Sequence, residues 1–65
     1  MKKGEVLIVG RKYINRLGKT VEILKTQDNL TFPFIGRNGY KEYSFAHTGM
    51  YLNSKEHQYD LIEKL

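Results

Sequence analysis

Asn38-Gly39 is the feature that most restricts how this chain folds, because a two-residue β-hairpin turn needs left-handed backbone that Asn and Gly adopt at least cost. With Arg37 and Tyr40 closing a type I′ turn, Phe32 opposes Phe45, Phe34 opposes Tyr43 and Gly36 opposes Lys41. Four aromatic rings then share one face. Pro33, Ile35, Arg37, Tyr40, Glu42 and Ser44 fall on the other. The stretch Leu30 to Leu52 therefore reads as the frame of a small β-domain.

The chain has 65 residues and no cysteine. A domain of this size buries only about 60% of the surface its unfolded chain exposes, so one core is all it can build. Residues 1–65 are read as a single β-barrel domain. Without cysteine there is neither a disulfide staple nor a thiolate zinc site, which leaves oligomerisation as the remaining reinforcement. No apolar run reaches the length of a membrane span, and Met1-Lys2-Lys3 does not open a signal peptide, so the expected location is the cytoplasm.

The net charge is +4, unevenly spread: residues 1–41 carry nine Lys or Arg against three Asp or Glu, and residues 42–65 carry two against four. Such a basic front attracts nucleic acid, a phosphorylated small molecule or an acidic protein patch, and charge alone does not choose among them. The plain alternative is a soluble basic protein with no anionic partner.

After a polar lead-in at Lys2 to Gly4, the run Glu5 to Val9 is rich in β-branched residues without alternation and reads as a strand covered on both faces, by the barrel wall or by a second copy. Lys12 to Asn15 is the next strand. It turns at Arg16-Leu17-Gly18 into Lys19 to Lys25, with Asn15 beginning a type I turn and Gly18 completing a G1 bulge. Tyr13 then meets Val21, Ile14 meets Thr20, and Tyr13, Val21 and Ile23 face the core. Asp28-Asn29 marks a loop. Pro33 cannot donate a ladder hydrogen bond, so its strand should be an edge there or carry a bulge. Ala46 to Gly49 is a further turn, Met50-Tyr51-Leu52 a short strand, Asn53 to Gln58 a loop or a single 3₁₀ turn, and Tyr59 to Ile62 brings apolar groups back to the core. Glu63-Lys64-Leu65 extends that last segment as a strand or frays. The expected core is Tyr13, Val21, Ile23, Phe32, Phe34, Tyr43, Phe45, Leu52 and Leu61.

Several motifs follow one another in a recognisable order: Tyr13-Ile14-Asn15-Arg16-Leu17-Gly18, Val21-Glu22-Ile23, Phe32-Pro33-Phe34-Ile35-Gly36, Phe45 four residues before Gly49, Gly49-Met50-Tyr51, and Asp60-Leu61-Ile62. Together they resemble a group of small, largely uncharacterised accessory proteins of tailed bacteriophages. In that group the first turn usually reads Arg-Asp-Gly or Arg-Asn-Gly, tryptophan usually stands at the position of Phe45 and aspartate at that of Thr48, so this chain departs at three places. The resemblance implies an all-β, SH3-like barrel of about five strands, a viral origin, and action in the host cytoplasm. It carries no catalytic residues. Accessory proteins of this kind act by binding, for instance in host takeover or against a host defence. Glycines at turns and aromatics in a small barrel are residue types a fold needs in any case, and an Asp-Leu-Ile end serves to tie down the terminus.

Chemistry is sparse. His47 and His57 lack metal-ligand spacing, so neither metal nor cofactor is expected. Ser44 and Ser54 lack a nucleophile-elbow context, and Gly36 to Gly39 is explained by its turn rather than by a phosphate loop. Glu22, Glu42 and Asp60 are single carboxylates suited to surface ion pairs. A non-catalytic protein is expected, one that binds a host protein; a nucleic-acid-binding or nucleotide-sequestering barrel is the alternative, and a small hydrolase ranks last. The candidate site is an anion-binding rim of Lys12, Arg16, Lys19, Arg37, Tyr40 and Lys41 around the two hairpin turns, to which the main chain of the turns adds N–H donors. Arg16 and Arg37 would offer paired donors to phosphate or carboxylate, and Tyr40 a stacking face.

Overall fold

The computed structural model describes residues 5–52 and 55–65. The polar lead-in at Lys2 to Gly4, and Asn53 and Ser54 in the expected loop, lie outside them. The fold is all-β: β1 (Lys12–Asn15), β2 (Thr20–Thr26), β3 (Phe34–Asn38), β4 (Lys41–Phe45) and β5 (Leu61–Lys64) form one antiparallel sheet in the order β4-β3-β2-β1-β5. Four strands make a meander and the fifth returns to the free side of β1. That arrangement is consistent with the small SH3-like barrel expected from the sequence.

The first hairpin forms as its residues dictate. Lys12 pairs with Glu22, Tyr13 with Val21 and Ile14 with Thr20, and Gly18 takes a φ of 81° in the bulge position. Tyr13, Val21 and Ile23 are buried. The Tyr13 hydroxyl accepts a hydrogen bond from the Ile8 amide (2.9 Å), so the one polar atom of this ring is satisfied inside the core.

The second hairpin corrects the expected register by two residues. Phe34 opposes Phe45, Gly36 opposes Tyr43 and Asn38 opposes Lys41, so the turn is Gly39-Tyr40. Only Gly39 has positive φ (64°), as in a type II′ turn with glycine first. The cause lies outside the hairpin: Asn38 Nδ2 donates to the Thr20 carbonyl (3.0 Å), which keeps Asn38 in the strand beside β2. Because a strand repeats every two residues, this shift, which passes Tyr40 from the strand into the turn, leaves the strand side chains on the expected faces. It does remove Phe32 from the ladder. Gln27 Nε2 donates to the Phe32 carbonyl (2.7 Å), and Asn29 Oδ1 accepts from the Thr31 and Phe32 amides (3.0 and 2.9 Å). Pro33 sits just ahead of β3, and the bulge falls on the partner strand, where the register skips Leu24 between Ile23 and Lys25.

Gly36 has no room for a side chain unless its neighbours shift. A Cβ there would stand 2.7 Å from Val21 Cγ1 and 2.9 Å from Phe45 Cε2. The missing side chain lets Phe45, fully buried, lie across β3.

The run Val6 to Val9 is a second correction, for it is not a strand. Both sides of β1 are taken, by β2 and β5, so this segment crosses the end of the barrel away from the hairpin turns. The Leu7 amide donates to His47 O and the Gly10 amide to Ile23 O, both at 2.8 Å. Leu7 alone plugs the core; Val6, Ile8 and Val9 are exposed, so the chain's own barrel wall does not cover the run on both faces. Met50 to Leu52 is likewise not a strand, although the Ala46 to Gly49 turn forms, closed by the Gly49 amide on Ala46 O (3.0 Å). The core is Leu7, Tyr13, Val21, Ile23, Phe45 and Leu61, with Phe34, Tyr43 and Tyr51 packed against it. Phe32 and Leu52, expected inside, are half-buried along a groove beside Tyr43.

Candidate functional site at the hairpin tips

Both hairpin turns lie at one end of the barrel. The Asn38 to Thr20 hydrogen bond joins their bases, and between them opens a cavity of about 440 Å³. Its floor is Val21 and Phe45, one wall is Tyr43 and Tyr59, and its mouth carries Leu17 and Lys19 from one tip and Tyr40 and Lys41 from the other. This volume falls within the range of small-molecule sites, which are mostly apolar with a few placed polar groups.

The six expected site residues divide. Lys19, Tyr40 and Lys41 meet at the cavity. Arg16 is turned away and ion-paired: its Nε lies 3.4 Å from Asp60 Oδ2 and a terminal guanidinium nitrogen 3.8 Å from Glu56 Oε1. Lys12 and Arg37 stand on the outer face. There Lys12 pairs with Glu22, Glu22 with Arg37 and Arg37 with Glu42, so cross-strand neighbours alternate in sign, with Lys12 beside one carboxylate and Arg37 between two.

The main chain of the first turn is also committed, contrary to the expected rim of free N–H donors. The Arg16 amide donates to Asp60 O (3.1 Å) and the Gly18 amide to Asn15 O (2.9 Å). Asn15 Oδ1 accepts from the Leu17 and Lys19 amides (3.0 and 2.9 Å). Asn15 is 5% exposed and lines the cavity. With Oδ1 holding the turn, Nδ2 is the donor that its side chain has left.

Asp60 fastens the far wall. Its Oδ1 accepts from the Tyr51 amide (2.8 Å) and its Oδ2 from the His57 amide (2.9 Å). Beside it the rings form a cluster, with Tyr43 and Tyr59 centroids 4.9 Å apart, Tyr51 and Tyr59 5.2 Å, and Tyr51 and His57 4.7 Å. Burial, and then the adjacent phenols of Tyr59 and Tyr51, push the Tyr43 hydroxyl above its ordinary value, so it stays a neutral donor throughout the physiological range. Tyr40 differs: it is fully exposed.

Leu17, Asn15, Asn38 and Tyr59 were not anticipated as site residues. The two asparagines are legible as turn residues; Tyr59 reaches the cavity only through the tertiary fold. Among the described residues no three His, Cys, Asp or Glu side chains group to hold a metal ion, and no helix is long and apolar enough to cross a membrane. No family model, curated protein or solved structure matches the chain.

Proposed function

We propose that this chain is a non-catalytic accessory binding protein, of the tailed-bacteriophage kind its motifs resemble. It inhibits or redirects a host defence or regulatory factor by capturing an anionic group of that factor between its hairpin tips. The observation that carries this reading is the convergence of Lys19 and Lys41 on one aromatic-walled cavity. No carboxylate lines that cavity among the described residues, so two ammonium groups set its local potential. Binding alone is enough for such a role. An acidic loop of a host protein fits the arrangement, its apolar neighbours meeting the half-exposed Leu17 and the exposed Tyr40 as anchors. A second reading, capture of a phosphorylated nucleotide, is favoured by the concavity and by the Asn15 donor. A hydrolase ranks last, since Glu22 and Glu42 stand in the charge row outside the cavity.

The test is affinity capture from host lysate, analysed together for proteins, nucleic acids and small nucleotides. Wild type is compared with the double variant Lys19→Glu/Lys41→Glu, and with Lys25→Glu on the outer face as a control that reverses a charge away from the cavity. Capture by wild type and the control, lost in the double variant and weakened by added salt, is the expected outcome. Equal capture by all three removes the hairpin-tip end as the binding end.

A further inference from the structure

We infer that the cavity is a mononucleotide site, which takes a base inside and a phosphate at its mouth. This rests on the reading that the hairpin-tip end is the capture end, and it chooses the nucleotide over the acidic loop as the occupant. The walls come first. Tyr43 and Tyr59 are held at 4.9 Å by mutual packing, and Tyr43 is braced further by Tyr51 at 5.9 Å, so one side is a fixed aromatic surface. Tyr40, with nothing covering it, is the ring available to close over a base from the other side. A flat heteroaromatic ring is the ligand that uses both.

Polar atoms complete the match. Asn15 is buried and lines the cavity, and with its Oδ1 committed to the Leu17 and Lys19 amides its Nδ2 is the side chain's remaining polar atom, a donor. Asn38 spends its own Nδ2 on the Thr20 carbonyl, which leaves Oδ1 as an acceptor. One donor and one acceptor within an apolar pocket are what the edge of a base requires, and an aliphatic ligand would leave both unmet. At the mouth, Lys19 and Lys41 supply point charges for a phosphate.

A nucleic-acid strand fits less well. Strand binding needs a basic groove that follows the backbone over several nucleotides. Here Arg16 is ion-paired, and Lys12 and Arg37 alternate with Glu22 and Glu42. Two lysines at one mouth suit one phosphate.

The experiment is isothermal titration of the full chain with AMP and GMP, beside adenosine, ribose 5-phosphate, inorganic phosphate and a single-stranded oligonucleotide. One of the nucleotides should bind at least tenfold tighter than adenosine and than ribose 5-phosphate, since each fragment lacks half of the recognition. Asn15→Asp keeps an oxygen for the Leu17 and Lys19 amides while replacing the donor by an acceptor; about a tenfold loss is expected. Tyr40→Ala, at a fully exposed position where folding is not at stake, should lose on the order of tenfold. Lys25→Gln should bind as wild type does. Absence of nucleotide binding, while host protein is still captured in a Lys19- and Lys41-dependent way, overturns the nucleotide and leaves the capture end standing. Nucleotide binding that ignores both Asn15→Asp and Tyr40→Ala overturns the site, and a preference for the oligonucleotide overturns the single-nucleotide occupant.

Discussion

The two hairpin tips have similar lengths and opposite constructions. In the first, the amides of Arg16, Leu17, Gly18 and Lys19 all have acceptors, three of them supplied by Asn15 and one by Asp60. In the second, one side-chain bond from Asn38 to Thr20 ties the base, and a fully exposed tyrosine stands at the apex. The first tip spends its polar groups on itself and the second leaves its side chains over. A binding end built from both gains a fixed support and a presented residue, a division consistent with capture of a ligand between them.

The largest expected effect tests what holds the second hairpin in place. If it is secured by its buried flank rather than by its tip, Phe45→Ala should cost about 3 to 5 kcal/mol, enough to unfold so small a domain. Chemical denaturation monitored by circular dichroism reads this directly. A folded variant with wild-type stability would mean that the tip carries the hairpin after all. Next comes Gly36→Ala on the same hairpin, expected to cost about 1 to 3 kcal/mol because the new methyl must displace Val21 and Phe45. Asn15→Ala probes the other tip. It removes the oxygen that two amides share, and a loss of about 1 to 2 kcal/mol in the same assay is expected, with hydrogen exchange quickened at Leu17 and Lys19. Smallest is Tyr40→Ala, which should shift stability by no more than about 0.5 kcal/mol, since the ring is already in water. If Tyr40→Ala were the more damaging of the two tip variants, the contrast between the tips would be reversed.

The same contrast explains which parts of the molecule can be read from its sequence. The first hairpin is decided by its own residues, Asn15 for the turn and Gly18 for the bulge, so pairing and faces follow correctly. The second is decided by a neighbour. Asn38-Gly39 announces a hairpin, but the bond from Asn38 to Thr20 moves the turn one residue along, and local turn preferences contain no trace of Thr20. Val6 to Val9 has strand-forming residues and no vacant edge on β1, because β5 occupies it, a fact of topology rather than propensity. The site divides likewise. Lys19, Tyr40 and Lys41 are legible because they sit on turns that must project, whereas the removal of Arg16 depends on Asp60, 44 residues away, and the neutral setting of Lys12 and Arg37 depends on cross-strand register.

The return of β5 to β1 has a consequence in time as well as in space. The meander from β1 to β4 grows by neighbouring contacts, each closing a short loop. The bond between Arg16 and Asp60 instead closes a loop of 44 residues, whose chain entropy alone is roughly 3 kcal/mol. Contacts of that span form late and set the pace of folding in small β-domains. Tyr59, one residue from Asp60, arrives with the same step. The sheet can thus precede the cavity: a molecule with four strands already paired has two hairpins and no far wall, and it becomes competent to hold a ligand only when its last strand docks. A ligand that fills the cavity favours that final docking over its reversal, so its presence is expected to slow unfolding chiefly at the β1 to β5 seam.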